Sequence, residues 1–178
     1  MQITINKAIL EMAQGDITQQ ATDAIVNAAN PTLLGGGGVD GAIHRAAGPA
    51  LLAESRTLGG CETGDAKITK GYQLKARHVI HTVGPVYHRA RKRAAELLAS
   101  AYRRSLEVAS ENHLKSVAFP SISTGAYGYP LDEAAPIALK TVADFLKNHP
   151  EIELVRFVLF DNRTLAAYEE ALKMLPVD

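Results

Sequence analysis

The amino-acid sequence predicts an α/β fold with three layers, in which helices cover both faces of a mixed, largely parallel central sheet. Short apolar runs typical of buried strands alternate with longer segments of helical periodicity along nearly the whole chain. No linker or low-complexity stretch separates these segments. A length of 178 residues is enough for one well-buried domain and short for two, so we expect a single domain over residues 1–178.

Composition and charge narrow the classes of function. Apolar residues make up 47% of the chain, as in ordinary globular proteins, and 19 basic residues balance 19 acidic ones. This balance gives no overall electrostatic sign of a nucleic-acid-binding or membrane-binding protein, so an anionic partner must be recognised locally. The single cysteine, Cys61, excludes an intramolecular disulfide. With no apolar run of signal-peptide or membrane-spanning length, we expect a cytoplasmic protein.

Six segments have the pattern of strands. The first runs out into a polar turn that carries Asp16, and the second and fifth are continuous apolar runs typical of strands buried on both faces. The six strands are predicted at residues 8–12, 24–26, 66–69, 78–83, 117–119 and 154–160.

Five segments have helical spacing. Gly48 ends the first of them, and Pro49 stands at the first turn of the second, where its missing N–H costs nothing. The third has the longest amphipathic pattern. The five helices are predicted at residues 39–47, 50–58, 90–112, 131–148 and 164–174.

Polar turns follow the carboxyl ends of four predicted strands. They contain Asp16, residues 30–40, residues 121–127 and the pair Phe160-Asp161. Because the carboxyl ends of parallel strands lie along one edge of a sheet, these four loops are expected to line one crevice.

Four consecutive glycines precede the first predicted helix, and they are Gly35, Gly36, Gly37 and Gly38. Backbone amides in such a loop can approach a ligand closely, which is how proteins hold phosphate. The spacing formally fits a dinucleotide fingerprint, but residues 31–34 separate the strand from the helix, and no Gly-Lys-Ser/Thr follows to complete a Walker motif. A flexible turn needs only one or two glycines, so we favour an anion cradle over a simple turn.

Asp40 and His44 are four residues apart and point along one face of the first helix. Asp40 adjoins the glycines and follows Asn27 and Asn30, which favours a functional role. In the alternative interpretation Asp40 satisfies helix amides and His44 is merely packed.

The remaining charged and reactive side chains give weaker signals. We interpret His78 and His81 as structural, and nothing in the sequence pattern activates Cys61. No set of histidines and carboxylates has the spacing of a metal site, so we expect neither metal nor cofactor. A basic run is either a solvated face or a contact for a polyanion. It contains His88, Arg89, Arg91, Lys92 and Arg93.

Several long motifs occur together in a fixed order. They are Gly15-Asp16-Ile17-Thr18, Asn27-Ala28-Ala29-Asn30, residues 35–44, His81-Thr82-Val83-Gly84-Pro85, residues 123–130 and Phe160-Asp161. With these motifs nearly the whole chain resembles a macro domain of the MacroD type. It is similar to the bacterial enzymes described as O-acetyl-ADP-ribose deacetylases or mono-ADP-ribosyl hydrolases. The extra thiol and histidine ligands of the zinc-dependent macro domains are absent.

The resemblance implies how ADP-ribose would bind. Asp16 would accept a hydrogen bond from the adenine amino group. A carboxylate in this position favours a base with an amino group, which can donate to it, over a base with a carbonyl group, which it would repel. Ile17 would lie beside the adenine and Phe160 would pack on it. Asn27 is implied as a further substrate-binding residue. The glycine run and a second loop would hold the diphosphate through backbone amides. The residues implied there are Gly35, Gly36, Gly37, Gly38, Val39, Ser123, Thr124, Gly125, Ala126 and Tyr127.

The reaction implied by the resemblance is hydrolysis of an ester between the distal ribose of ADP-ribose and a carboxylate. Asn30, Asp40 and His44 would surround that ribose, and Asp40 would either orient a water molecule or take its proton. The expected ligands are ADP-ribose, O-acetyl-ADP-ribose and mono-ADP-ribosylated proteins. Three alternatives stay open: an ADP-ribose reader without activity, a phosphatase acting on an ADP-ribose phosphate, and a nucleic-acid module that uses residues 88–93.

Overall fold

The computed structural model describes residues 1–176 as a seven-stranded sheet with helices on both faces. The strands are β1 (Gln2–Ile5), β2 (Ala8–Gln14), β3 (Ala24–Ala28), β4 (Ala66–Lys70), β5 (His78–Thr82), β6 (Ser116–Phe119) and β7 (Leu154–Leu159). The helices are α1 (Gly38–Ala47), α2 (Pro49–Ser55), α3 (Tyr87–Ala90), α4 (Ala94–Glu111), α5 (Leu131–Asn148) and α6 (Asn162–Lys173). The domain predicted over residues 1–178 extends two residues beyond the described part, and its single-domain character stays a prediction.

The strand order across the sheet is β1-β2-β7-β6-β3-β5-β4. The five inner strands are parallel to one another, and the two edge strands pair antiparallel with their neighbours. The predicted mixed, largely parallel sheet is therefore confirmed. Its parallel strands bring five carboxyl ends to the same edge.

The predicted three layers are also confirmed, because successive strand residues pack into different cores. Ile25 and Val79 face α1 and α2, in a core that includes Ile43 and Leu51. The residues that alternate with them face the larger core beneath α4, α5 and α6. Full burial of both strand faces explains why these strands appear in the sequence as continuous apolar runs.

Two elements differ from the sequence-based prediction. Strand β1 was not predicted, although its four residues alternate polar and apolar side chains; Ile3 and Ile5 are half-buried against the larger core, and the strand pairs along β2. The long helix predicted from residue 90 begins only at Ala94. Arg91 has φ +50°, which ends α3, and a short 3-10 turn then leads into α4. Such a backbone conformation is rare for residues other than glycine and has no signature in the apolar spacing.

Smaller differences occur at the ends of two other helices. Helix α2 stops at Ser55, and the rest of the predicted segment is a 3-10 turn. Helix α6 begins at Asn162, two residues early, because the side chain of Asp161 accepts a hydrogen bond from the Thr164 N–H and caps it. None of the helices in the described part of the chain has the length and hydropathy needed to cross a bilayer.

Candidate active site

The loops that follow the parallel strands meet along one edge of the sheet. From β2 to β5 this edge presents Asp16, Phe160, the loop 121–127, the segment 28–40 and Gly84 in that order. Four gaps between neighbouring strands span roughly 19 Å at the usual strand spacing. The edge is thus long enough for an extended ligand that contacts every loop.

The glycine run leads directly into the N-terminus of α1. Gly35 and Gly38 have φ +87° and +56°, a backbone conformation that favours glycine. The N-cap residue of α1 is Gly37, and no side chain within residues 1–176 caps this end of the helix. The first amide groups of α1 therefore remain available to an anion, and the helix dipole favours negative charge there.

Asp40 lies in the first turn of α1, buried to 5% exposure. Its Oδ1 accepts a hydrogen bond of 2.8 Å from Asn27 Nδ2, and His44 Nε2 is 3.4 Å from the same oxygen. Its Oδ2 makes no hydrogen bond within the described residues and lies 3.1 Å from the position that a Cβ on Gly36 would take. The carboxylate is therefore held by one oxygen, while the other is unpaired.

Asn27 connects Asp40 to His81 beneath the site. Asn27 is fully buried, and its Nδ2 is also 3.2 Å from Nδ1 of His81. His81 Nε2 lies 2.9 Å from the hydroxyl of Thr69, which donates to the carbonyl oxygen of Lys70. Because the Asp40 carboxylate requires an N–H from Asn27, the Asn27 amide can offer only its other N–H to His81. Nδ1 of His81 is consequently unprotonated, and Nε2 donates to Thr69.

This arrangement depends on a neutral His81. Burial, with a smaller contribution from His44, lowers the pKa of His81 from 6.5 to about 4. The amide orientation also leaves Asn27 Oδ1 buried without a hydrogen-bond partner among the described residues. An unpaired buried carbonyl costs about 1–3 kcal/mol. The fold therefore leaves Asn27 Oδ1 without a hydrogen bond in order to hold Asp40 through Asn27 Nδ2.

Asn30 is held at the start of the glycine loop. Its Oδ1 accepts hydrogen bonds from the amide and hydroxyl groups of Thr32, and its Nδ2 donates to the carbonyl oxygen of Gly35 at 2.9 Å. Asn30 Nδ2 is also 3.3 Å from the position of a Cβ on Gly36, so Asn30 and Asp40 flank the same glycine. A side chain at Gly36 would press against both.

The loop 121–127 is fixed from below by two buried tyrosines. The hydroxyl of Tyr102 accepts a 2.9 Å hydrogen bond from the Ile122 N–H, and the hydroxyl of Tyr168 lies 2.8 Å from Ser121 Oγ. The two hydroxyl groups are 3.3 Å apart, and burial raises the pKa of both tyrosines. Within residues 1–176 the amides of Ser123 to Tyr127 make no hydrogen bond. This loop thus presents a second row of amides opposite the glycine run.

Gly84, at the end of β5, packs directly against that loop. A Cβ at this position would overlap with Ser123 Oγ and Ile122 Cγ2. Ser123 itself has φ +67°, and its buried hydroxyl has no partner among the described residues. The close packing at Gly84 therefore sets how near the two halves of the site can come.

A cavity of about 320 Å³ lies between the two rows of amides. Ten of the predicted site residues line it, namely Asn30, Gly36, Gly37, Gly38, Val39, Asp40, Ser123, Gly125, Ala126 and Tyr127. Its walls also include Ser121 and Ile122 of the predicted loop 121–127, and three residues that were not predicted to be in the site, namely Ala28, Ala29 and Gly84. Ala28 is the last residue of β3, and Ala29 and Gly84 follow the ends of β3 and β5, so a search of every strand end rather than of polar residues would have found these three.

Seven predicted site residues lie outside this cavity lining. Four of them lie beneath or behind it, namely Asn27, Gly35, His44 and Thr124. The Thr124 hydroxyl donates to Ser121 Oγ, and Gly35 and His44 line a separate hollow behind the glycine run. The other three are Asp16, Ile17 and Phe160, which belong to the β2 and β7 ends of the edge.

At that end of the edge, Asp16 and Phe160 follow paired strands. The Gly15 N–H donates to the carbonyl oxygen of Leu159, which places the two loops side by side. Oδ1 of Asp16 accepts hydrogen bonds from the Thr18 amide and hydroxyl at 2.9 and 2.7 Å, and no hydrogen bond within the described residues reaches its Oδ2. Phe160 is 86% exposed. An exposed aromatic ring beside an available carboxylate oxygen suits a planar ligand with an N–H donor.

Tyr127 lines the cavity together with Asp40. Burial, followed by the charge of Asp40, raises the pKa of Tyr127, while Arg89 opposes the shift. Tyr127 is therefore a neutral phenol at neutral pH, close to both Asp40 and Arg89.

The other sequence candidates lie away from this geometry. Cys61 is buried in a small cluster with Ala29, Leu33 and Val83, and burial raises the pKa of its thiol to about 11, so it is not a nucleophile at neutral pH. His78 contacts the backbone of Thr69 on an edge strand pair. Within residues 1–176, no cluster of three histidine, cysteine or carboxylate side chains is placed to hold a metal ion.

Comparison with known proteins identifies the architecture. The family model described as Macro domain matches residues 26–138. A macro domain-containing protein of Chlorobaculum tepidum is 58% identical over 94% of this chain and 97% of its own length. An O-acetyl-ADP-ribose deacetylase of Klebsiella pneumoniae is 54% identical over 93% of this chain and 97% of its own length.

Solved structures give the same result. The Oceanobacillus iheyensis macrodomain with ADP superimposes with a TM-score of 0.94 at 49% identity, covering 97% of this chain and 94% of its own. A mutant of that macrodomain with ADPR has a TM-score of 0.93 at 48% identity, covering 97% and 96%. The chain therefore belongs to the Macro domain family.

Proposed function

We propose that this protein binds ADP-ribose and hydrolyses the ester between its distal ribose and a carboxylate, which is either acetate or an Asp or Glu side chain of a protein. The observation that carries the proposal is the Asp40 carboxylate, which Asn27 and His44 fix through Oδ1 while Oδ2 stays unpaired at the wall of the cavity. The deacetylase names of relatives such as the Klebsiella pneumoniae protein support the same reaction.

The ligand would extend along the whole strand-end edge. Adenine would donate its amino group to Asp16 and stack near Phe160. The diphosphate would lie between the amides at the start of α1 and those of the loop 121–127, where two sets of N–H groups offset its charge. The distal ribose would then reach Asn30, Asp40 and Tyr127, which line the same cavity.

The reaction adds water across the ester and releases ADP-ribose and the free carboxylic acid. A carboxylate is a fair leaving group, so an oriented water molecule is a larger requirement than a strong acid or a covalent nucleophile. Oδ2 of Asp40 would hold or deprotonate that water. One N–H of Asn30 bonds Gly35, and the other would bind a ribose hydroxyl. The residues of the site would supply these steps without a metal ion. A protein whose single thiol is buried suits the reducing cytoplasm.

The test is the turnover of three substrates in the presence of EDTA: O-acetyl-ADP-ribose, a glutamate-linked mono-ADP-ribosylated protein, and ADP-ribose 1″-phosphate. We expect ADP-ribose to be released from both esters and affinity for ADP-ribose to exceed that for its inosine analogue. Binding without turnover would make the protein a reader. Release of phosphate alone would make it a phosphatase, and equal affinity for the inosine analogue would contradict the role of Asp16.

A further inference from the structure

A second cavity, of about 330 Å³, adjoins the reacting end of the site. Gly84 and Tyr127 line both cavities and form their common wall. Beyond Tyr127 the second cavity is walled mostly by apolar side chains, with the guanidinium of Arg89 among them. In the proposed function, the group esterified to the distal ribose leaves the first cavity at this wall. Acetate ends there, whereas a modified side chain continues into a polypeptide.

Three cations beside this second cavity have no anionic partner. Arg89, Arg91 and Lys92 are exposed, and none forms an ion pair within residues 1–176. Arg91 and Lys92 line a third hollow together with Tyr87 and His88. Arg89 lines the second cavity and is close in the chain to these residues, so the three cations give this side of the protein unbalanced positive charge, although the net charge of the protein is zero.

The carboxylates near this surface interact with residues other than these three cations. Glu133 accepts hydrogen bonds from the Tyr87 hydroxyl at 3.2 Å, and Glu96 pairs with Arg93 at 3.9 Å. Asp132 is close enough to Tyr87 to contribute to its raised pKa, after the larger effect of the Glu133 hydrogen bond. None of these groups neutralises Arg89, Arg91 or Lys92.

The backbone holds one of these cations in a strained conformation. Arg91 has φ +50° and ψ −113°, which glycine adopts far more readily than arginine. Such strain costs of order 1–3 kcal/mol and is concentrated at functional positions. The fold thus keeps an arginine at a position where glycine would be less strained, which supports a use for its charge.

We propose that the second cavity and the cations Arg89, Arg91 and Lys92 bind an acidic peptide segment next to the modified carboxylate of a protein substrate. This inference rests on the proposed function. The apolar walls accommodate the aliphatic part of the modified side chain and its backbone, and the cations pair with Asp or Glu roughly two to four residues away along an extended chain. A nucleic acid would need a broader basic surface than these three cations offer on a protein whose net charge is zero.

The test uses two synthetic peptides, each with one ADP-ribosylated glutamate, flanked either by Asp and Glu or by Asn and Gln. For the wild-type enzyme we expect kcat/KM to be about tenfold higher on the acidic peptide at low salt, as two surface ion pairs would give. This difference should become smaller as the salt concentration rises. The double variant Arg91→Gln/Lys92→Gln should have similar kcat/KM values on the two peptides. Its turnover of O-acetyl-ADP-ribose should be unchanged. Adding Arg89→Gln should remove the remaining preference.

The matched control is Lys7→Gln/Lys75→Gln, which removes the same charge from exposed positions before β2 and β5, neither of which forms an ion pair within residues 1–176. Equal rates on the two peptides, or an equal effect of the control, would overturn the inference. So would salt-dependent oligonucleotide binding that the Arg91→Gln/Lys92→Gln variant loses while the peptide preference persists. If O-acetyl-ADP-ribose is not hydrolysed either, the proposed function fails instead, and fluorescence anisotropy of the two peptides still measures the preference.

Discussion

The position of Asp40 depends on side chains that do not reach the cavity. Asn27 and His81 are directly paired residues of β3 and β5, so the register of two strands brings them together across 54 positions of sequence. The sequence predicted the alignment of Asp40 with His44, because helical spacing is local. It could not predict the link from Asn27 to His81, because strand register is not visible in the sequence pattern.

We predict that His81 makes the stability of the fold depend on pH. In the unfolded chain His81 titrates near pH 6.5, whereas in the fold its pKa is about 4. Between these values the unfolded state binds a proton that the native state does not. The free energy of unfolding therefore falls as the pH drops from 6.5 to 4, by at most about 1.4 kcal/mol per pH unit from this group.

The measurement is urea unfolding of the wild type and of His81→Gln across that pH range. The variant should lose the contribution of this one proton and show a shallower dependence, while carboxylates elsewhere affect both proteins equally. The native site of the wild type should keep its neutral His81, and hence its hydrogen-bond directions, down to about pH 4. Parallel curves for the two proteins would contradict the buried, neutral state of His81.

At the scale of elements, the cavity is formed by two loops that are stabilised in different ways. The glycine run is shaped by its own backbone and by α1, whereas the loop 121–127 rests on hydroxyl groups from α4 and α6. Sequence periodicity predicted α5 to the residue and most strands within one or two positions. It missed β1, whose alternation of polar and apolar residues spans only four positions, and it missed the break before α4, because a strained arginine leaves no periodic signal.

We predict that Tyr168→Phe weakens ADP-ribose binding although Tyr168 lies below the cavity. The substitution removes the hydroxyl that lies 2.8 Å from Ser121 Oγ and 3.3 Å from the Tyr102 hydroxyl, in a fully buried position. We expect a loss of about 1–2 kcal/mol in the free energy of unfolding and a several-fold rise in the dissociation constant. Calorimetric titration and chemical denaturation measure both quantities.

Tyr87→Phe is the control for that variant. Its hydroxyl bonds an exposed carboxylate, Glu133, so its removal should change stability by a few tenths of a kcal/mol. If both substitutions have the same small effect, the tyrosine pair does not stabilise the loop.

At the scale of the whole molecule, the strand order turns scattered motifs into one linear site. The sequence predicted that four strand-end loops line one crevice, and all four lie on the same edge of the sheet. The spatial order of these loops runs from Asp16 through Phe160 and the loop 121–127 to Asp40. This order follows from crossover connections between strands, which the residue pattern does not reveal. Gly84 was overlooked for the same reason, since it meets Ser123 only because β5 and β6 both pair with β3.

The central claim is that the unpaired oxygen of Asp40 serves the reaction and not the binding of ADP-ribose. The most direct measurement compares wild type with Asp40→Ala and Asp40→Asn in two assays: hydrolysis of O-acetyl-ADP-ribose with EDTA present, and calorimetric binding of ADP-ribose. We expect both variants to lose at least about a hundredfold in kcat, as removal of a water-orienting or proton-accepting group does, while affinity for ADP-ribose changes only a few-fold. Variants that keep the wild-type rate would contradict the account.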